Sequence, residues 1–210
     1  HAVKDSEYVL PPSLQNVLRK YQRDGYRWLR TLDGYGMGGI LADDMGLGKT
    51  LQVLAYLLAL KEEGQTLPSL IVCPASLVLN WAEECEKFTP QLKCLPVDGT
   101  AAHRAELAAQ FAEYDLIVTS YDLLRRDEAL YTEQEFYACI LDEAQAIKNH
   151  TTQKYKAVCR VQSKVRFALT GTPVENRLGE LWSIFTFLMP GDLPPYKTFS
   201  TRFERPIVQE

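Results

Sequence analysis

The chain predicts an α/β fold, a mostly parallel sheet with helices on both faces, on three observations. Strand-like and helix-like segments alternate almost throughout, the pattern that βαβ units produce. Strand candidates such as SLIVC at 69–73 are apolar at every position, as strands buried on both faces are. Each stretch that carries chemistry falls directly after a strand: the loop at 43–50, CPAS at 73–76, TSYD at 119–122, DEAQ at 142–145 and TGTP at 170–173. Sheets of this class place their ligands at the carboxyl ends of the strands, so these five stretches converge on one edge.

Taken in order, residues 13–32 read as an amphipathic helix with Leu14, Leu18, Tyr21, Trp28, Leu29 and Leu32 on or near one face. The short strand GGILA leads into a glycine-rich loop, and residues 49–64 form a helix closed by Gly64. SLIVC precedes a helix over 76–88, for which Ser76 is the expected N-cap. KCLPVDG is a weak strand and AAHRAELAAQF a helix, while DLIVTS and YACILDEA are strands, the second ending in acids. TQKYKAVCRV reads as a helix, VRFALTGTP as strand and loop, and LGELWSIFTFLM as an apolar helix. Trp28, Trp81 and Trp182 lie within apolar helical patterns and are expected in the core. The proline-rich tail after residue 190 is expected to be extended, leaving one domain over 1–190 and a tail over 191–210.

Composition narrows the class. With 210 residues, 46% of them hydrophobic, the chain can bury one good core. No apolar run approaches the roughly 20 residues a membrane helix needs, so no membrane partner is expected. Five scattered cysteines, none in a CxxC pair, fit reduced core thiols of an intracellular protein: cytoplasm or nucleoid in a prokaryote, nucleus in a eukaryote. The net charge of −4 does not advertise a nucleic-acid binder, but it is unevenly spread. Residues 147–210 hold ten Lys and Arg against five Asp and Glu, so the basic third can face phosphates or simply be solvated.

The loop GGILADDMGLGKT is the strongest chemical signal. The strict phosphate-loop spacing wants glycine where the chain has Asp43. The rest of the loop, Asp44, Met45, Gly46, Leu47 and Gly48, still feeds a helix N-terminus, which presents backbone N–H groups and a dipole to phosphate oxygens. Lys49 would pair with the β- and γ-phosphates of a nucleotide, and Thr50 would ligate Mg²⁺. The strand YACIL then delivers Asp142 and Glu143: the first a Mg²⁺ ligand, the second a group to orient or deprotonate an attacking water. Thr170, Gly171 and Thr172 form a stiff turn at another strand end, which on its own chemistry is as consistent with a plain turn as with a site.

Together, ADDMGLGKT, LIVCPASLVLNW, VTSYDLL, ILDEAQAIKN and FALTGTPVENRLGELWSIFTFLMPG resemble motifs I, Ia, Ib, II and III of the SWI/SNF-type ATPases of helicase superfamily two. LRKYQRDGYRWL is similar to that family's upstream glutamine motif, and the resemblance runs from about Leu18 to the end. It implies a RecA-like P-loop lobe, the first of two, from a double-stranded-DNA translocase of bacterial or archaeal type that uses ATP and Mg²⁺. By resemblance, Gln22 reads the adenine edge, and Gln145, in place of the commoner histidine, links the hydrolytic site to the Thr170–Thr172 turn. Pro74, Ala75, Ser76, Ser120, Tyr121, Lys148 and Asn149 would lie along the DNA backbone, where short hydroxyls, amides and lysines suit phosphate contacts.

The implied partners are duplex DNA, a second RecA-like lobe of the same parent chain and DNA-bound proteins. With no second-lobe motifs after Thr172, the chain is expected to be a lobe that hydrolyses ATP very slowly alone. Other readings are a superfamily-two RNA helicase, a restriction-enzyme motor lobe and a binding module that holds nucleotide or a partner without turnover. Gln145 and TGTP argue against a DEAD-box helicase, which would carry aspartate at position 145.

Overall fold

The structure is a computed structural model that describes residues 8–42, 48–171 and 178–189. The expectations placed on Asp43, Asp44, Met45, Gly46, Leu47, Thr172, Pro173 and the tail lie outside the described residues.

Six strands form one sheet: β1 (Gly39–Ala42), β2 (Ser69–Cys73), β3 (Cys94–Pro96), β4 (Leu116–Ser120), β5 (Phe136–Leu141) and β6 (Ser163–Thr170). Their spatial order is β1-β6-β5-β2-β4-β3 and every pairing is parallel. The register aligns Ala42 with Thr170, Leu141 with Ala168 and Cys73 with Ser120, so the carboxyl ends that carry the chemical stretches share one edge.

Alternation along each strand divides two cores. Ile71, Val118, Ile140 and Phe167 point to the face covered by α1 (Lys20–Gly34), α2 (Lys49–Glu62) and α3 (Val78–Phe88). Leu70, Val72, Ile117 and Leu141 point to the opposite face. There they meet side chains of α4 (Ala101–Ala108), α5 (Tyr121–Arg126), α6 (Glu128–Thr132), α7 (Gln153–Arg160) and α8 (Leu178–Leu188). α2 is buried on all sides from Leu51 to Leu60, between the sheet, α1 and α3. α1 crosses it at Gly25, where an added Cβ would come within 1.7 Å of the Gln52 amide oxygen. Only the missing side chain allows that approach.

Three expectations change. The helix expected from residue 13 starts at Lys20, after a 3₁₀ turn at Pro12–Leu14 and an extended Arg19. Leu14 and Leu18 are buried all the same, and their spacing continues that of α1, so periodicity alone did not locate the break. Ser76 does not cap α3: Pro74 starts a 3₁₀ turn over Ala75–Leu77, and the helix begins at Val78 without a side-chain cap. Trp28 is 46% exposed, whereas Trp81 and Trp182 are core. The buried stripe of α1 runs through Gln22, Gly25, Tyr26, Leu29 and Leu32, which leaves Tyr21 and Trp28 on its rim. α5 and α6, of six and five residues, went unforeseen because so few residues give a helical period nothing to register.

Candidate active site at the carboxyl edge of the sheet

The ends of β1, β5 and β6 and the start of α2 assemble the site. Gly48 caps α2 with φ of 116°, a left-handed conformation that glycine adopts without strain. A Cβ there would lie 2.4 Å from Gln22 Nε2 and 2.9 Å from the Tyr21 hydroxyl, so α1 packs closely against Gly48 at the end of the glycine-rich loop. Lys49 follows at 5% exposure and Thr50 is half-buried beside it.

Lys49 faces both acids, its Nζ 3.7 Å from Asp142 Oδ1 and 3.4 Å from Glu143 Oε1. Asp142 is 5% exposed. Burial pushes its carboxyl above the usual range, and the Trp81 hydrogen bond and the Lys49 ammonium pull part of the way back. Glu143 adopts φ of 50° and ψ of 55°, a left-handed conformation that costs a non-glycine residue about 1–2 kcal/mol. Its amide donates to Asp142 Oδ1 at 2.9 Å, while its side chain stays one-third exposed.

From Glu143 the contacts run on to β6. Gln145 donates from Nε2 to Glu143 Oε2 at 2.5 Å and accepts at Oε1 from the Thr170 hydroxyl at 3.4 Å. Lys49, Glu143, Gln145 and Thr170 are therefore linked in series across three strand ends. Gly171 follows at the edge of the described residues.

Gln22 is 8% exposed, with its Oε1 accepting from the Arg19 amide at 2.8 Å and its Nε2 beside Gly48. Next to it a cleft of about 360 Å³ opens between α1 and β1, lined by Tyr21, Asp24, Trp28, Ile40, Ala42 and Gln52. Reading Trp28 as a core residue concealed this cleft; its seven-residue spacing from Tyr21, off the buried stripe, was the available signal.

The acids, the hydroxyl and the ammonium fit a magnesium–nucleotide. Two carboxylates against one ammonium leave an excess negative charge, and the donors are hard oxygens. Among the described residues no group of three or more His, Cys, Asp or Glu could hold a metal unaided. Magnesium sites that rely on one or two carboxylates together with substrate phosphates need no such group.

The residues expected along DNA divide. Ala75, Ser76, Lys148 and Asn149 are exposed and Pro74 half-buried, all beyond the carboxyl edge. Ser120 and Tyr121 differ from these: at 3% and 4% exposure their side chains face inward. The Ser120 hydroxyl caps α5 by accepting from the Leu123 amide, and the Tyr121 hydroxyl donates to the Asp142 carbonyl at 2.7 Å. Trp81, expected only as core, donates its indole N–H to Asp142 Oδ2 at 2.9 Å.

Comparison with known proteins gives a consistent set. The SNF2-related domain family matches residues 21–210. TATA-binding protein-associated factor MOT1 of Saccharomyces cerevisiae is 43% identical over 97% of the chain, which spans 12% of that relative. An uncharacterized ATP-dependent helicase of Mycoplasma pneumoniae is 45% identical over 90% of the chain, which spans 18% of it. The Sulfolobus solfataricus SWI2/SNF2 ATPase core in complex with dsDNA superposes with a TM-score of 0.84 at 45% identity, over 91% of this chain and 40% of that one. No helix among the described residues is long and apolar enough to cross a membrane.

Proposed function

The chain belongs to the SNF2-related domain family, and on that premise we propose that it is the ATP-binding lobe of a DNA-dependent ATPase that translocates on double-stranded DNA. The observation that carries this reading is the linked series Lys49, Glu143, Gln145 and Thr170, with Asp142 beside it, at the carboxyl edge of a parallel sheet. Residues 1–190 are assigned to the lobe, and 191–210 to the segment between it and a second RecA-like lobe of the parent protein.

In this reading the loop 44–48 and the N-terminus of α2 cradle the phosphates, and Lys49 turns from the acids to the β- and γ-phosphate oxygens. Thr50 and Asp142 hold magnesium, which when bound neutralises charge on those oxygens. Glu143 orients and deprotonates the attacking water, and its exposed, left-handed placement leaves the carboxylate accessible to it. Gln145 carries the state of that carboxylate to Thr170 and the turn beyond. Gln22 and the cleft beside Trp28 take the adenine base.

Duplex DNA as the track is supported by the similar archaeal core, which was solved with dsDNA. Ala75, Ser76, Lys148 and Asn149, with the half-buried Pro74 beside them, offer exposed groups for phosphates along that edge. The relatives named as TATA-binding protein-associated factors support a DNA-bound protein as what the motor acts against.

The test is ATP turnover by the full-length protein alone, with duplex DNA and with single-stranded RNA, beside Glu143→Gln. Duplex should stimulate and RNA should not, and the variant should lose at least about 100-fold in turnover while still binding nucleotide. Stimulation by RNA alone would replace the reading with an RNA helicase. Nucleotide binding without turnover under all three conditions would replace it with a binding module.

A further inference from the structure

The Asp142 carboxylate is gripped from outside its own strand. Oδ1 accepts from the Glu143 amide and faces Lys49, while Oδ2 accepts from the Trp81 indole at 2.9 Å. Trp81 lies on α3 and is 1% exposed. The backbone carbonyl of Asp142 is held as well, by the Tyr121 hydroxyl at the start of α5. Packing alone accounts for an indole body in this core but not for its single N–H meeting a 5%-exposed carboxylate oxygen. A donor on a charged acceptor makes a strong, directional bond, and the χ2 torsion that it fixes is otherwise a broad one.

We infer that Trp81 is a positioning residue for the Asp142 carboxylate and, with Tyr121, ties it to the two helices that follow the carboxyl ends of β2 and β4. The inference rests on the nucleotide-site reading above. Trp81 fixes the plane of the carboxyl group, so Oδ1 stays turned toward the Lys49 ammonium at the start of α2. α3 begins immediately after the Ala75–Leu77 turn, whose Ala75 and Ser76 are exposed. A DNA phosphate seated on that turn is therefore joined to Asp142 through one helix and one hydrogen bond. The sequence distance is 61 residues, so no local motif contains the pair.

The test uses the full-length protein with Mn²⁺ and ADP, reading metal binding by electron paramagnetic resonance. Trp81→Phe removes the donor, and replacing Trp81 by benzothienylalanine removes it while keeping the bicyclic shape. Each should weaken Mn²⁺ binding about tenfold, the scale for losing an outer partner of a metal-facing carboxylate. ADP affinity in excess EDTA should stay unchanged. Stimulation of kcat by duplex should fall with little change in KM for ATP, and Tyr121→Phe should act in the same direction. Native Mn²⁺ affinity in the benzothienylalanine protein would overturn the inference, whatever Trp81→Phe does to folding. Failure of the native protein to bind Mn²⁺ with ADP would instead bring down the nucleotide-site reading, and this inference with it.

Discussion

Single side chains at the carboxyl edge are held in states that their neighbours impose. Gly48 is the sharpest case, because both its left-handed φ and the groups around it exclude a side chain. Gly48→Ala should weaken nucleotide binding at least about tenfold, since a methyl group there displaces Gln22 and Tyr21 as well as straining the loop. Binding of a fluorescent ADP analogue, with the fold checked by circular dichroism, measures this. Cys73 and Cys139 are fully buried thiols, each pushed up to about 12 by desolvation. Between the ordinary thiol value of 9.0 and about 12 the folded chain holds protons that the unfolded chain has released. Their contribution is thus fully present below pH 9 and is lost as the pH rises toward 12. Urea titrations across that range should show declining stability, with a shallower decline in the Cys73→Ala, Cys139→Ala protein.

Arg166 does the corresponding work between elements. It is 9% exposed on β6 and donates to the Phe187 carbonyl of α8 at 2.8 Å and to the Cys159 and Val161 carbonyls at the end of α7 at 3.0 and 2.7 Å. Its guanidinium also lies 5.0 Å from the Phe187 ring centroid. A cation at two helix C-termini is favourable to both dipoles, and it satisfies carbonyls that helix ends leave without partners. Arg166→Met keeps the apolar stem but orphans those carbonyls, so the protein should lose about 3 kcal/mol of stability. Chemical denaturation checks this, and nucleotide binding at saturating protein should be spared, because Arg166 lies in the middle of β6 and its guanidinium serves the ends of α7 and α8 rather than the carboxyl edge of the sheet. Element identity was legible in the sequence where a segment was long enough to show a period, as in α2, α7 and the apolar strands. It failed where elements are short or where a break preserves the spacing, as at α5, α6 and Arg19.

At the scale of the whole molecule, a parallel sheet brings chain-distant strand ends to one edge, and under the proposed function that edge is half of an active site. If arginines of a second lobe complete it, supplying that lobe in trans or in the same chain should raise duplex-stimulated turnover by about 10³-fold or more. Turnover by this chain, with and without the lobe, measures the gain. If duplex DNA is the track, phosphate contacts make its binding strongly salt-dependent, and stimulation should decline steeply as salt rises.

Local sequence determined the succession of strands and longer helices along the chain and which residues stand at each strand's carboxyl end, because apolarity and period act over neighbouring positions. It thereby put Lys49, Asp142, Glu143 and Thr170 at strand ends, the family resemblance singled out Gln145, and the sheet register brings the five together. Only the tertiary structure decided that Trp28 lines a cleft, that Ser120 and Tyr121 face inward, and that Trp81 donates to Asp142. Each of these depends on which face of one element meets another far along the chain. A period records that a face is buried, not which polar atom waits across the contact.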